Sequence, residues 1–281
     1  MTKLKTISFV VITATLAGCA ATPRHYDEKS SRALNLARAG GIYDQDLRDS
    51  PDGTRSYRKS LLMSALNLTS LATSLDAPLR HLSGTQTLLF NATDIMMSPD
   101  KPSARPSLMG WMPESLAANE DAAYDRYVAI VDEAITQAAE SLAITATKLT
   151  DVKTPEIEGH PLMLWSVKAE RYGCSDDNCI IAYNIQQPNH WKTPDYVIGG
   201  EAASHNITAN HPKEYSRLIF RQSGQEPAFP SGEFYGAVSA AMPSWMVMYF
   251  PPNTVIQDGK PVPYPVLYEQ GNQLLFKEPQ S

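Results

Sequence analysis

The chain has 281 residues, of which 24 are basic and 30 acidic, for a formal charge of −6. That balance leaves no electrostatic footprint for nucleic acid or for anionic lipid headgroups. The length suffices for one large domain or two smaller ones with their own cores, and no later run approaches the roughly 18 apolar residues of a membrane span.

At the N-terminus, Lys3 and Lys5 precede an uncharged run from Ile7 to Leu16. This is the layout of a secretory signal, and it is half of the roughly 20 residues that crossing a bilayer requires. Leu16-Ala17-Gly18-Cys19 places two small residues directly before a cysteine. The motif resembles the lipobox of bacterial lipoproteins, and the resemblance covers only these first 19 residues. It implies cleavage before Cys19, diacylation of its thiol and acylation of the new amino group, so that palmitate-like chains hold the protein on a membrane. Each buried methylene contributes about 0.8 kcal/mol, so three chains anchor stably where one does not. In that family an Asp after the cysteine favours retention in the inner membrane. Ala20 stands here, which implies the outer membrane, facing the periplasm. Residues 1–18 are then a signal peptide and 19–26 an acylated tether, and loss of Lys3 and Lys5 moves the charge to −8.

With Cys19 taken by lipid, Cys174 and Cys179 remain of the three cysteines. An even remainder in an oxidising compartment reads as a disulfide. A lone C-x4-C pair is poor for zinc.

Further along, residues 27–40 read as a helix ending at Gly40-Gly41, and 44–54 as a loop. From Tyr57 to Asp76, Leu61, Ala65, Leu68, Ala72 and Leu75 fall on one helical face before Pro78 ends the pattern. A further helix is expected over 84–97, with Leu88, Leu89, Ala92, Ile95 and Met96. Pro99, Pro102, Pro106 and Pro113 predict an extended connector over 98–113. The strongest helix runs from Pro113-Glu114-Ser115 to Leu149. Tyr124, Val128, Val131, Ile135, Ala138, Leu142, Thr145 and Leu149 form its seam. Such a seam needs a partner, either the two preceding helices in an antiparallel bundle or a second chain in a coiled coil.

After Thr154 the texture changes: 14 of the 21 prolines and three of the four tryptophans lie from 155 onward. Met163, Trp165, Val167 and Ala169 alternate as in a half-buried strand, as do Ile181, Tyr183 and Ile185, so the disulfide closes a hairpin end. Further strands are expected at 196–198, 217–221, 245–250, 254–257, 262–268 and 273–276, with turns at Asp258-Gly259 and Gly271-Asn272. Pro261, Pro263 and Pro265 confine their strand to an edge or make it irregular. Phe234 to Pro252, rich in Met and aromatics, reads as a core strand or as a partner-binding surface.

G-x-S-x-G, H-E-x-x-H, P-loop and G-x-G-x-x-G motifs are absent. Ser83-Gly84, Ser223-Gly224 and Ser231-Gly232 read as turns, His81, His160 and His190 as packing or surface residues, and Asp176-Asp177 as a polar turn. Glu201, His205, His211 and Glu214 form the best polar constellation. A helix over 200–208 would bring Glu201 and His205 together as weak candidate metal ligands, although the spacing matches no zinc signature. No catalytic residue and no cofactor is assigned.

The expected fold is α+β: an N-terminal antiparallel helical bundle (27–152) followed by a C-terminal antiparallel β-rich half (155–281). The functional expectation is a non-enzymatic binding or assembly component of an envelope complex, attached to the membrane by its lipid and to an envelope protein partner. The alternatives are a periplasmic hydrolase or metal-dependent enzyme acting on envelope material, and a small-ligand binder.

Overall fold

A computed structural model describes residues 25–54, 101–150, 156–157, 160–175, 178–197, 203–210, 215–223 and 227–280. Elements are numbered here in chain order among those residues. Helix α1 (Arg32–Ala39) begins at Ser31, whose hydroxyl accepts from the Leu34 amide at 3.0 Å and is itself held by Asp49. That capping bond satisfies one of the open amides of the first turn.

The next strand falls where a connector was expected. Strand β1 (Ser107–Pro113) is buried throughout and lies inside a six-stranded antiparallel sheet, between β10 (Met246–Phe250) and β8 (Ala203–Ile207). Its prolines explain both the misreading and the outcome. Pro102 opens a 3₁₀ turn and Pro106 and Pro113 bracket the strand, so that Leu108 to Met112 keep every ladder donor. Beyond β10 lie β13 (Val266–Glu269) and β14 (Asn272–Leu275), and beyond β8 lies β7 (Asn189–Lys192). This sheet joins strands from both sides of residues 150–160.

Helix α2 (Glu120–Ser141) is shorter than the expected 113–149. The Asn119 side chain caps it by accepting from the Ala122 amide at 2.9 Å, and Glu120 and Asp121 meet the positive end of its dipole. It stops at Ala143, which takes a left-handed φ of 52° while the Ile144 amide donates back to the Ala139 carbonyl at 3.0 Å. This is the closure that glycine ordinarily makes. Residues 145–148, assigned to the seam, are instead strand β2 (Thr145–Lys148). It edges a second antiparallel sheet in the order β2, β5 (Met163–Lys168), β6 (Cys179–Asn184), β9 (Arg217–Gln222). Short hairpins β3–β4 (Glu156–Ile157, His160–Pro161) and β11–β12 (Ile256–Gln257, Lys260–Pro261) complete the set.

The expected N-terminal helical bundle is therefore replaced. Among the described residues there are three α-helices, and only α1 and α2 precede residue 155. Those expected at 57–76 and 84–97 lie outside the described residues. Among the described residues the seam of α2 packs against α3 (Ser231–Ala241) and both sheets. Its buried face is Ala123, Tyr127, Val131, Ala134, Ile135 and Ala138, small enough to admit another helix closely. Helix α3 was unforeseen. Phe234, Tyr235, Val238 and Met242 repeat at helical spacing, and Pro243 then separates them from β10. Both pieces are core, so the partner-surface reading of 234–252 is withdrawn. Tyr196 and Val197 form a turn, not a strand.

Two contacts tie the helical layer to the sheets. The Tyr235 ring stacks on Phe250 of β10 at 4.0 Å, while its hydroxyl accepts from the Phe220 amide of β9 at 2.8 Å. The Tyr127 hydroxyl accepts from the Met112 amide of β1 at 3.0 Å and donates to the His205 carbonyl of β8 at 2.8 Å. Gly110 makes the room: a Cβ there would sit 2.8 Å from the Tyr127 ring. On the opposite face of this sheet α1 packs against Met109, and Arg32 pairs with Glu269 of β13.

Tyr127→Phe leaves both buried backbone groups unpaired, and a loss of about 1–3 kcal/mol is expected, read as a lower urea midpoint at unchanged slope. A negligible change would mean that the two strands close their ladder without the hydroxyl. Ala143→Gly relieves a left-handed strain of roughly 1–2 kcal/mol at the cost of roughly 0.5–1 kcal/mol of extra backbone entropy, so stability should rise by up to about 1 kcal/mol, measured in the same titration.

Candidate functional site

Of the expected constellation, only His205 belongs to the described residues; Glu201, His211 and Glu214 lie outside them, as do Cys19, His81 and Asp176-Asp177. His205 is on strand β8 and not on a helix, and its residue is 3% exposed. Its Nε2 lies 3.2 Å from the Ala117 carbonyl. A carbonyl only accepts, so Nε2 carries the proton, and Nδ1 is a buried nitrogen with no hydrogen-bond partner among the described residues. The register sets His190 of β7 directly opposite, with ring centroids 5.8 Å apart, and the Nε2 of His190 is 3.4 Å from the exposed Glu114 carboxylate. A base that abstracts a proton must reach its substrate. The closed surroundings of His205 give it a packing role in this conformation. Among the described residues no group of three or more His, Cys, Asp or Glu side chains is arranged to hold a metal ion.

A second polar centre joins α2 to the second sheet. Asp132 accepts from the Tyr183 hydroxyl of β6 and pairs with Lys148 of β2, both at 2.5 Å. Burial, reinforced by the hydrogen bond to Asp132 and its negative charge, raises the Tyr183 phenol well above its ordinary range. Tyr183 is therefore a fixed donor, and the trio acts chemically as a cross-link.

The third centre is cationic and fully enclosed. The ring of Tyr215 lies against two guanidiniums, Arg105 at 3.7 Å and Arg217 at 4.4 Å, which are 0% and 2% exposed. Arg105 donates to the Ala209 carbonyl at 2.8 Å, and Arg217 donates from Nε to Asn184 Oδ1 at 3.0 Å. Burial holds the Arg217 guanidinium below its ordinary range, opposed by Tyr215 and assisted by the neighbouring Arg105 charge. Contact with an aromatic face offsets part of the desolvation such a group suffers. Nothing in the sequence singles these residues out, because they come from separated positions with no shared spacing.

The disulfide stands where expected. Cys174 and Cys179 are bonded at the end of the β5–β6 hairpin, and the Asn178 side chain accepts from the Ser175 amide at 2.7 Å within the loop. Ser231-Gly232, read as a turn, is instead the first turn of α3, with the Ser231 hydroxyl accepting from the Ile256 amide at 2.8 Å. Among the described residues the most exposed large apolar side chains are Trp191, at 47%, on strand β7 at the end of its sheet, and Leu116 on the turn after β1. All four residues of β7 are exposed. Among the described residues no helix is long and apolar enough to cross a membrane. No protein-family model, curated protein or solved structure matches the chain.

Burial is the largest cause raising four phenols, Tyr127, Tyr183, Tyr235 and Tyr268, above their ordinary value of 10.0. The unfolded chain gives up these protons near pH 10 whereas the folded one keeps them. The stability they carry is therefore intact below pH 10 and falls above it, by about 1.4 kcal/mol per pH unit for each phenol. On alkaline titration, phenolate absorbance from these groups should appear in one step with loss of far-UV dichroism. A gradual rise at intact dichroism would show that they reach solvent.

Proposed function

We propose that the chain is a lipid-anchored lipoprotein of the outer membrane, facing the periplasm, that serves as a binding or assembly component of an envelope complex and performs no catalysis. Secretion, conjugation and pilus machines contain parts of this description. The observation that carries the reading is Leu16-Ala17-Gly18-Cys19 after a short basic and apolar leader. The Cys174–Cys179 bond fits an oxidising compartment.

The body supports a binding role in two ways. Its described polar centres around Asp132 and Tyr215 are engaged in cross-links between elements. Strand β7 offers an exposed edge carrying Trp191, and such edges recognise extended segments of other chains through backbone hydrogen bonds. Trp is also among the residues that dominate interface energetics.

The test is crosslinking in intact cells with a C-terminally tagged chain, comparing wild type with Cys19→Ser and Trp191→Ala. The wild type should fractionate with the outer membrane, incorporate labelled palmitate and capture a specific envelope protein. Cys19→Ser should lose label and partner, and Trp191→Ala should capture about tenfold less, the weight of one interface anchor of about 1.4 kcal/mol. Palmitate labelling unchanged by Cys19→Ser, or a wild type that captures nothing while hydrolysing an envelope substrate, would overturn the reading.

A further inference from the structure

Two histidines and a glutamate meet where β7 and β8 run beside the 3₁₀ turn Glu114–Leu116. His205 is the fixed member. Its backbone carbonyl is held by the Tyr127 hydroxyl, and its Nε2–H donates to the Ala117 carbonyl at 3.2 Å. The second bond fixes the tautomer and leaves the lone pair on Nδ1, a buried atom with no hydrogen-bond partner among the described residues. A buried polar atom in that state costs stability unless something engages it. An imidazole that donates one N–H to a backbone carbonyl and keeps a lone pair on its other nitrogen is prepared to bind a metal ion.

Its neighbours supply two further donors. The register sets His190 directly opposite His205, with ring centroids 5.8 Å apart, and His190 Nε2 lies 3.4 Å from Glu114 Oε1. Zinc bonds of about 2.0–2.1 Å at a tetrahedral angle set two ligand atoms about 3.4 Å apart and the centres of two imidazoles about 5 Å apart. Both spacings here fall within about 1 Å of what one tetrahedral ion requires. The three side chains do not yet converge on one point. The two that must turn are His190 and Glu114, whose side chains are 47% and 57% exposed, and exposed side chains change rotamer readily.

We propose that Nδ1 of His205, an imidazole nitrogen of His190 and the Glu114 carboxylate bind one divalent cation of the zinc class, with water in the fourth position. Imidazole donors suit zinc, copper and nickel, whereas magnesium and calcium take oxygen ligands. The bound ion ties edge strand β7 to the turn that follows β1. This inference is independent of the lipid anchor and of the proposed function.

The test is calorimetric titration of zinc into the full-length protein, purified in detergent without a polyhistidine tag and stripped with chelator, together with hydrogen exchange of β7. One zinc per chain should bind, excess magnesium should not displace it, and the β7 amides should exchange more slowly in its presence. His190→Ala and Glu114→Gln should each weaken binding by more than the roughly 10–100-fold that loss of an outer-shell partner costs. His25→Ala, at an exposed position, should leave binding unchanged. His205→Phe keeps a ring and should abolish binding; His190→Ala decides the matter should that variant fail to fold. A wild type that takes up no zinc would overturn the proposal. So would uptake that His190→Ala leaves intact, which would place the ion elsewhere.

Discussion

The hydroxyl of Tyr127 is the constraint on which the arrangement of the body depends. It stands between the Met112 amide and the His205 carbonyl, so two neighbouring strands are joined through a helix residue at that point. The ring reaches them because position 110 has no side chain. Five residues on, about 140° around the helix, Asp132 holds Tyr183 and Lys148 of the other sheet. One helix therefore fixes the first sheet with one side and the second sheet with another. Helix α3 repeats the device, with the Tyr235 ring on Phe250 and its hydroxyl on Phe220. Both tyrosines combine large apolar area with a polar tip that finds a buried partner, the use to which phenols are suited.

How much of this is legible in the sequence depends on how local the determining physics is. The β5–β6 hairpin follows from period-two alternation and two cysteines five positions apart, all within one supersecondary unit. Asp258 and Gly259 both take left-handed conformations, as their turn chemistry demands. The last hairpin turns at Gln270 and Gly271, one residue earlier than the expected Gly271-Asn272. Other errors arise where local signals are silent or misleading. Four prolines over 98–113 suggested a connector, although the run between the last two is long enough for a strand. No glycine or proline marks the end of α2, because Ala143 makes the left-handed turn itself. The stripe of Phe234, Tyr235 and Val238 merges by composition with β10, and only Pro243 separates them.

The polar centres were the least legible. Asp132 and Tyr183 are brought together by the crossing of α2 over the second sheet, and Arg105 and Arg217 by the meeting of a loop with a strand end. Neither relation has a sequence period. Around His205 it is the helix considered over 200–208 that the structure replaces, with a strand at Ala203–Ile207. Nearness along the chain suggested a helix and shared ligands, whereas β-branched and small residues around His205 place it in a strand against His190. Among the described residues the histidine opposite it is His190, which sequence reading had set aside as solitary. The functional reading accordingly draws its weight from the first 19 residues and from an exposed edge, and not from a reactive centre.

The contacts of α1 bear on the order in which the body can be assembled. Arg32 pairs with Glu269, 237 positions away, and the Ser50 amide donates to the Phe276 carbonyl. A ribosome delivers the chain from its N-terminus, so Ala33, Leu34, Leu36 and Ala37 emerge long before the strands that bury them. Loop-closure entropy makes contacts of such separation slow to form. Part of the cover of α1 thus comes from the final hairpin, the last segment of the chain to emerge, so this helix reaches its full set of contacts only when the chain is complete.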